Sequence, residues 1–248
     1  MLYGYFAVCG NHEKSAIFCL CGFIAEADDW NSFNHAWNAL LTNSSSNFDA
    51  ITCLLNKDAF SSSDIFHCQP LLAGLSGVLA HSALTPLGAF VVREDFSRLS
   101  STDRAVLAAE GIESPLDVIF YDLVEQTIRR AHEESEKISL LISRESHSAA
   151  EQYHKIFAKH LGHYLLGTHL MSAPTFSDAQ SCSYLQAATL LGKAVVLIET
   201  QQLSWKKEGF PFFIPPALQK MITAIAEQGR FHAEALHMLA EKLKKPYR

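Results

Sequence analysis

The sequence lacks the long apolar run that a membrane-spanning helix needs, since no segment approaches about 18 continuous apolar residues. Its six cysteines include no CxxC pair, which disfavours a zinc site. Acidic residues outnumber basic ones by 26 to 20, so the net charge of −6 disfavours a dedicated nucleic-acid binder. No glycine-rich phosphate loop and no Gly-x-Ser-x-Gly elbow is present.

These absences predict a protein without a membrane span, whose cysteines are reduced thiols. Cys19 and Cys21 lie two residues apart in a predicted strand, so they share a face and are poorly placed to bridge each other. The first residues, Met1–Gly4, lack the basic region and the apolar run of a signal peptide. We therefore expect a cytoplasmic protein.

Apolar side chains are abundant, because 48% of the 248 residues are hydrophobic and only 19% are charged. A chain of this length and composition buries a substantial core. Segments 1–9 and 15–25 are rich in strand-forming residues and flank a polar turn, which predicts a β-hairpin. Helical and strand patterns then alternate. We expect an α/β protein with a mixed sheet that begins with this hairpin and carries helices on its faces.

The C-terminal fifth of the chain has a different composition. We expect residues 1–202 to form the main domain, and residues 203–248 to add an aromatic, proline-rich loop and a C-terminal helix packed on the same domain. That helix should begin near Pro216, with a possible break at Gly229. The aromatic segment from Trp205 to Phe213 and the last helix favour either core packing or a contact with a protein partner or a second copy.

Several local patterns make sharper predictions. The apolar run 51–55 predicts a short strand, and Pro70 predicts the start of a helix. Ser114, followed by proline and by an acid three residues later, predicts a capped helix start. Further strands are expected at 137–143 and near 169–171.

The 12 histidines do not form a recognised zinc motif. His232 and His237 are five residues apart, whereas helical zinc motifs use histidines four apart. His160 and His163 share a predicted helix face, but no third ligand is evident. We therefore predict no metal site and no cofactor.

Three segments and two smaller markers carry a resemblance to a known family. The segments are Ala7-Val8-Cys9-Gly10-Asn11-His12, Ile142-Ser143-Arg144 and Gln186-Ala187-Ala188-Thr189. The markers are the helix Trp30-x-x-Phe33-x-x-x-Trp37 and the pair Phe66-His67. In order and spacing they resemble the bacterial domain-of-unknown-function 3800 family, over residues 3–200.

The resemblance implies a ribonuclease-H-like fold. In such enzymes, acids from the first strand, a later strand and a C-terminal helix hold divalent ions for phosphodiester cleavage. The matched positions here are Ala7, Val8, Ser143 and Thr189. Alanine and valine side chains cannot ligate a metal, and neutral hydroxyls do not balance two divalent charges. The resemblance therefore implies a protein that is inactive as a metal-dependent nuclease and acts by binding a partner.

Polar residues near these vacated positions define a possible pocket. They are Cys9, Asn11, His12, His67, Arg144, Glu145, Asp178, Gln186 and Lys193. Lys193 shares a helix face with Gln186 and Thr189, so it either holds a positive charge where a metal would lie or covers apolar surface. His12 is a general base or part of a polar turn, and Cys9 is a nucleophile only beside a base and otherwise a buried thiol.

An alternative function remains open at this stage. Asp178 and Glu145 are the acids best able to form a relocated site, or else they serve as loop and cap residues. A relocated site would make the protein a divalent-metal-dependent phosphodiester hydrolase, and Mg²⁺ or Mn²⁺ is expected only in that case. For the inactive form we expect a protein partner or a homodimer, and the net charge makes nucleic acid a less favoured partner.

Overall fold

The chain begins with the predicted antiparallel hairpin. β1 (Leu2–Cys9) pairs with β2 (Ile17–Glu26) in a register that sets Cys9 opposite Cys19. Aromatic and β-branched side chains favour this extended backbone. The computed structural model describes residues 1–10, 15–44, 47–55, 62–143, 147–163, 174–178, 182–204 and 214–244.

Four further strands extend the hairpin into a mixed sheet. β3 (Thr85–Val92) pairs antiparallel with β2, and β4 (Ile138–Ser143) pairs parallel with β1. The short strands β5 (Thr175–Ser177) and β6 (Arg230–Phe231) lie parallel to β4 and β3 at the two edges. The strand order is β5-β4-β1-β2-β3-β6.

Ten helices in the described ranges accompany the sheet. They are α1 (Ala27–Asn43), α2 (Phe48–Leu54), α3 (Ser62–His81), α4 (Arg93–Ser97), α5 (Ser101–Ala109), α6 (Pro115–Glu133), α7 (His147–His163), α8 (Ser183–Ser204), α9 (Pro216–Gly229) and α10 (Ala233–Lys244). The predicted class is confirmed: a mixed α/β sheet that starts with a hairpin, with helices on the sheet and at the C-terminus.

Two apolar cores lie on opposite faces of the sheet. Successive strand residues point to opposite faces, so Phe6 of β1 packs in one core and Ala7 in the other. The Ala7 core is completed by α1, α2, α3, α8 and α9, whereas the Phe6 core is completed by α5, α6, α7 and α10. Both faces of the sheet are therefore covered by helices.

Aromatic side chains hold α1 on the first strand. Trp30, Phe33 and Trp37 are buried at helical spacing on one face of α1. The indole Nε1 of Trp30 donates a hydrogen bond of 2.9 Å to the Tyr3 carbonyl. The Trp30 ring also lies edge-on to Tyr5, with 4.6 Å between centroids. The aromatic face of α1 is therefore the face that docks on the sheet.

The predicted start of α6 is confirmed in detail. The Ser114 hydroxyl accepts a hydrogen bond of 3.3 Å from the backbone N–H of Asp117. The Asp117 carboxylate in turn accepts one of 2.7 Å from the N–H of Ser114. This reciprocal pair is a capping box, which satisfies backbone donors that a helix start otherwise leaves unpaired.

The strand predicted at 51–55 is wrong, because this run belongs to α2. Asn47 caps that helix, since its side-chain oxygen accepts a 2.8 Å hydrogen bond from the Ala50 N–H. Phe48 and Ile51 are both buried, three residues apart. With Phe48 included, the apolar spacing is helical, and packing of that face outweighs the strand propensity of the run.

The helix start predicted at Pro70 is also wrong, because α3 begins at Ser62 and contains this proline. Buried leucines after it, such as Leu71 and Leu75, keep helical spacing and pack in the core. The predicted start at Pro216 and break at Gly229 are confirmed. The strand expected near 169–171 and the aromatic segment 205–213 lie outside the described residues.

The C-terminal elements pack on the main sheet. α9 contacts β3 and α3, and α10 contacts α5. The division of the chain at residue 202 stays a prediction. Among the helices of the described ranges, none combines the length and the hydropathy needed to cross a membrane.

A small polar cluster joins α10 to α5. The Nδ1 of His237 lies 3.0 Å from the carboxylate of Asp103, and the ammonium of Lys244 lies 3.5 Å from it. The hydroxyl of Ser100 donates a further bond of 2.9 Å. Hydrogen bonds with His237 and Ser100 are the main reason that the pKa of Asp103 lies below its ordinary value.

We expect Asp103→Asn to lower the thermal unfolding midpoint at pH 7. The lowered pKa means that the carboxylate stabilises the fold above the ordinary aspartate pKa of about 4. That contribution is lost as the pH falls through the lowered folded-state pKa, so the difference between variant and wild type should shrink as the pH is lowered below the ordinary aspartate value. Thermal unfolding measured from pH 7 down to acidic pH checks this pH dependence, and substitution of the exposed Asp28 by asparagine is the control. A constant difference would contradict the assignment.

Candidate functional site

Two of the vacated positions meet at the ends of parallel strands β1 and β4. The register sets Phe6 beside Ile142, so Ala7 and Ser143 follow on the opposite face, which α8 covers. The backbone N–H of Val8 donates a hydrogen bond of 3.0 Å to the Ser143 hydroxyl. The Ser143 side chain therefore joins the ends of β1 and β4 by a hydrogen bond.

The third vacated position approaches the same strand end from α8. The Cys9 thiol donates to the Thr189 carbonyl, with 3.9 Å between sulfur and oxygen. The Thr189 hydroxyl donates a bond of 2.8 Å to the Leu185 carbonyl within its own helix. Thr189 thus lies beside the end of β1, and its hydroxyl proton is donated within α8.

The space between these positions is filled by close packing. Ala7 is 1% exposed, Ser143 4% and Thr189 9%. At Gly192, one turn after Thr189, an added Cβ would lie 2.7 Å from the Cys9 sulfur, closer than real Cβ atoms come. The helix therefore rests directly on the strand ends. A tightly packed interface without a carboxylate at any of the three positions offers no ligand set for a divalent ion.

Val8 differs from its neighbour Ala7. Its side chain is partly buried against the core that contains Phe6, on the opposite face of the sheet. Only Ala7 of the two candidate first-strand positions therefore faces α8.

Gln186 has a structural partner. Its side-chain oxygen accepts a hydrogen bond of 3.0 Å from the indole Nε1 of Trp37, which joins α8 to α1. Trp37 is fully buried, so the bond satisfies a donor that would otherwise be costly to bury. Two residues that carry the family resemblance are thus in direct contact.

Lys193 lies at the border between α8 and α2. Its ammonium is 3.4 Å from the Thr52 carbonyl. Burial lowers the pKa of Lys193, while nearby Cys9, Cys53 and Asp49 act in the opposite direction. The half-buried ammonium therefore sits within electrostatic range of the Cys9 thiol, at the edge of the vacated positions.

The other candidate pocket residues are less closely gathered. Asp178 is exposed directly after β5, whose Ser177 pairs with Ser143. His67 is exposed on α3, and its ring centroid lies 5.7 Å from that of Phe66. The remaining four, which lie outside the described residues, are Asn11, His12, Arg144 and Glu145. Their roles stay predictions.

Gly192 is the residue of this site that the motifs did not single out. The only signal in the sequence is a glycine in the middle of a predicted helix, which costs stability unless packing requires it. Here the requirement is the approach of α8 to Cys9 and Cys21.

No protein-family model matches this chain, and a search of curated proteins finds no significant match. The described geometry is therefore the main basis for assigning a function.

We expect Gly192→Ala to destabilise the protein by about 1–3 kcal/mol, because the methyl group would overpack the contact with Cys9. Gly77→Ala is a matched control, since it lies in helix α3 with no atom within 4 Å of an added Cβ. That control should be neutral or stabilising by up to about 1 kcal/mol. Chemical denaturation measures both, and equal effects would contradict the packing argument.

Proposed function

We propose that this chain is a ribonuclease-H-like protein, a divergent member of the domain-of-unknown-function 3800 family, which has lost its catalytic acids and acts by binding a protein partner. One observation carries the proposal: Ala7, Ser143 and Thr189 gather at one end of the sheet, where the family's acids would stand. The interface between these three positions is packed, and none of the three side chains can supply negative charge.

The contact between Trp37 and Gln186 supports the family assignment. These residues belong to two separate matching segments, 149 positions apart, and they join the helices on which those segments lie. Their role in holding α1 against α8 explains why they would persist after catalysis was lost. Packing is needed by any protein that keeps the fold, whereas acids are needed only for the metal.

Two properties, an exposed apolar side chain and the net negative charge, favour a protein over a nucleic acid as the partner. Phe66 belongs to a segment that resembles the family and is 75% exposed, so it is accessible to a partner, although single exposed apolar side chains are common on protein surfaces. The net charge of −6 disfavours a nucleic-acid backbone. All six cysteines are described, and each is a free thiol.

We expect the purified protein to show no divalent-metal-dependent cleavage of DNA, RNA or their hybrid. Incubation of labelled substrates with Mg²⁺ or Mn²⁺ tests this, because a nuclease of this class requires carboxylate-bound metal. Cleavage that disappears in Asp178→Asn or Glu145→Gln would overturn the proposal. It would instead favour a hydrolase with a relocated site.

A gain-of-binding variant tests the location of the vacated site. We expect Ala7→Asp, Ser143→Asp and Thr189→Asp together to lower the thermal midpoint in a chelator, because burying carboxylates at these positions is unfavourable. Mn²⁺ should restore much of the loss in this variant, since the proposal has the three carboxylates converge on one cation. The wild type should show no such shift.

The matched control carries asparagine at the same three positions. Asparagine has the shape of aspartate without its charge, so Mn²⁺ should not stabilise that variant. Should the triple aspartate variant fail to fold, the pair Ser143→Asp and Thr189→Asp keeps the test. Equal responses of aspartate and asparagine variants to Mn²⁺ would contradict the proposed location.

A further inference from the structure

A second feature lies further along α8, away from the vacated positions. A cavity of about 360 Å³ opens between α8 and α9 beside β6. Its lining combines charged side chains (Glu199, Glu227 and Arg230), polar side chains (Gln219 and Thr223) and apolar side chains (Ile198, Ile222 and Ala226). Glu199 is ten residues beyond Thr189, which corresponds to about 15 Å along a helix. The cavity is therefore a separate feature from the proposed function.

The Glu199 carboxylate is the unusual group in this lining. The residue is only 2% exposed, and its Oε2 has no hydrogen-bond partner within the part of the chain that the structure describes. The guanidinium of Arg230 lies 3.5 Å from that oxygen, a separation of an ion pair without a hydrogen bond. A buried charged acceptor left in this state is unfavourable, so the cavity offers an acceptor for a donor from outside.

The charged residues around the cavity determine which sign of charge a bound ligand can carry. Glu199 and Glu227 contribute two carboxylates against the single guanidinium of Arg230. Glu227 and Arg230 are both exposed, so solvent screens their opposite charges, and the buried carboxylate of Glu199 is the least screened charge of this lining. A ligand with a positively charged hydrogen-bond donor fits this balance, whereas an anion does not.

The apolar lining indicates the rest of the ligand. Ile198 and Ile222 are each 3% exposed and line the cavity together with Ala226. Such a wall accommodates methylene groups, as the stems of lysine side chains do on protein surfaces. We propose that this cavity binds a small aliphatic amine, whose ammonium donates to the Glu199 carboxylate while its carbon chain packs on the isoleucines. Burial also raises the pKa of Glu199, as expected for an acceptor short of donors.

The test uses butylamine at neutral pH, with butyrate as a probe of the same chain and opposite charge. Heteronuclear NMR titration of the full chain should show saturable shifts with butylamine at cavity residues and none with butyrate. Glu199→Gln keeps the shape of the side chain and removes its charge. It should weaken butylamine binding by at least about tenfold, the effect of losing a charged hydrogen bond.

Two further variants sharpen the result. Arg230→Gln should strengthen butylamine binding, because it removes the cation that competes for Glu199. Glu234→Gln, an exposed acid on α10 outside the cavity, should leave binding unchanged. Thermal unfolding shows whether each variant folds. If Glu199→Gln does not fold, the expected increase in butylamine affinity of Arg230→Gln tests the site instead.

Three outcomes would overturn the amine site. They are butyrate binding as well as butylamine, unchanged affinity in Glu199→Gln, and no saturable shift with millimolar butylamine. The last two are expected if only water satisfies the carboxylate. None of these results bears on nuclease activity or on the aspartate variants, so this inference and the proposed function can fail independently.

Discussion

The close approach of α8 to the first two strands is the contact on which the rest of the structure depends. Gly192 allows the helix backbone to reach Cys9 and Cys21 on the sheet. Gln186 of α8 also accepts a hydrogen bond from the indole of Trp37, so the position of α8 sets the position of α1. Protein interiors are packed at near-crystalline density, so a fold held this way needs no bound ion at its centre. The proposed loss of metal ligands is therefore compatible with keeping the scaffold.

The parts of the fold that could be predicted from the sequence are those set by local physics. The hairpin follows from strand-forming residues around a polar turn, and the start of α6 follows from the hydrogen bonds that Ser114 and Asp117 can make. The strand prediction at α2 is wrong because the apolar run resembles a strand until Phe48 is included. The predicted helix start at Pro70 is wrong because α3 continues, with buried side chains, on both sides of this proline.

The candidate site was predictable only through the family resemblance. No local pattern tells that positions 7, 143 and 189 meet, because strand pairing and helix docking bring them together across the chain. The packing role of Gly192 and the bond between Trp37 and Gln186 depend on the same long-range geometry. Side-chain chemistry could be judged in advance, whereas the partner of each side chain could not.

The sequence distance between β1 and α8 has a consequence for synthesis of the protein. Cys9 and Thr189 are 180 residues apart, so the first strands leave the ribosome long before the helix that covers them exists. α1 follows the hairpin directly in the chain and covers part of its apolar face. Ala7 and Cys9 stay uncovered until α8 has been synthesised. Such late contacts slow folding and prolong exposure of apolar surface. The nascent chain should therefore depend on chaperones until most of it has been made.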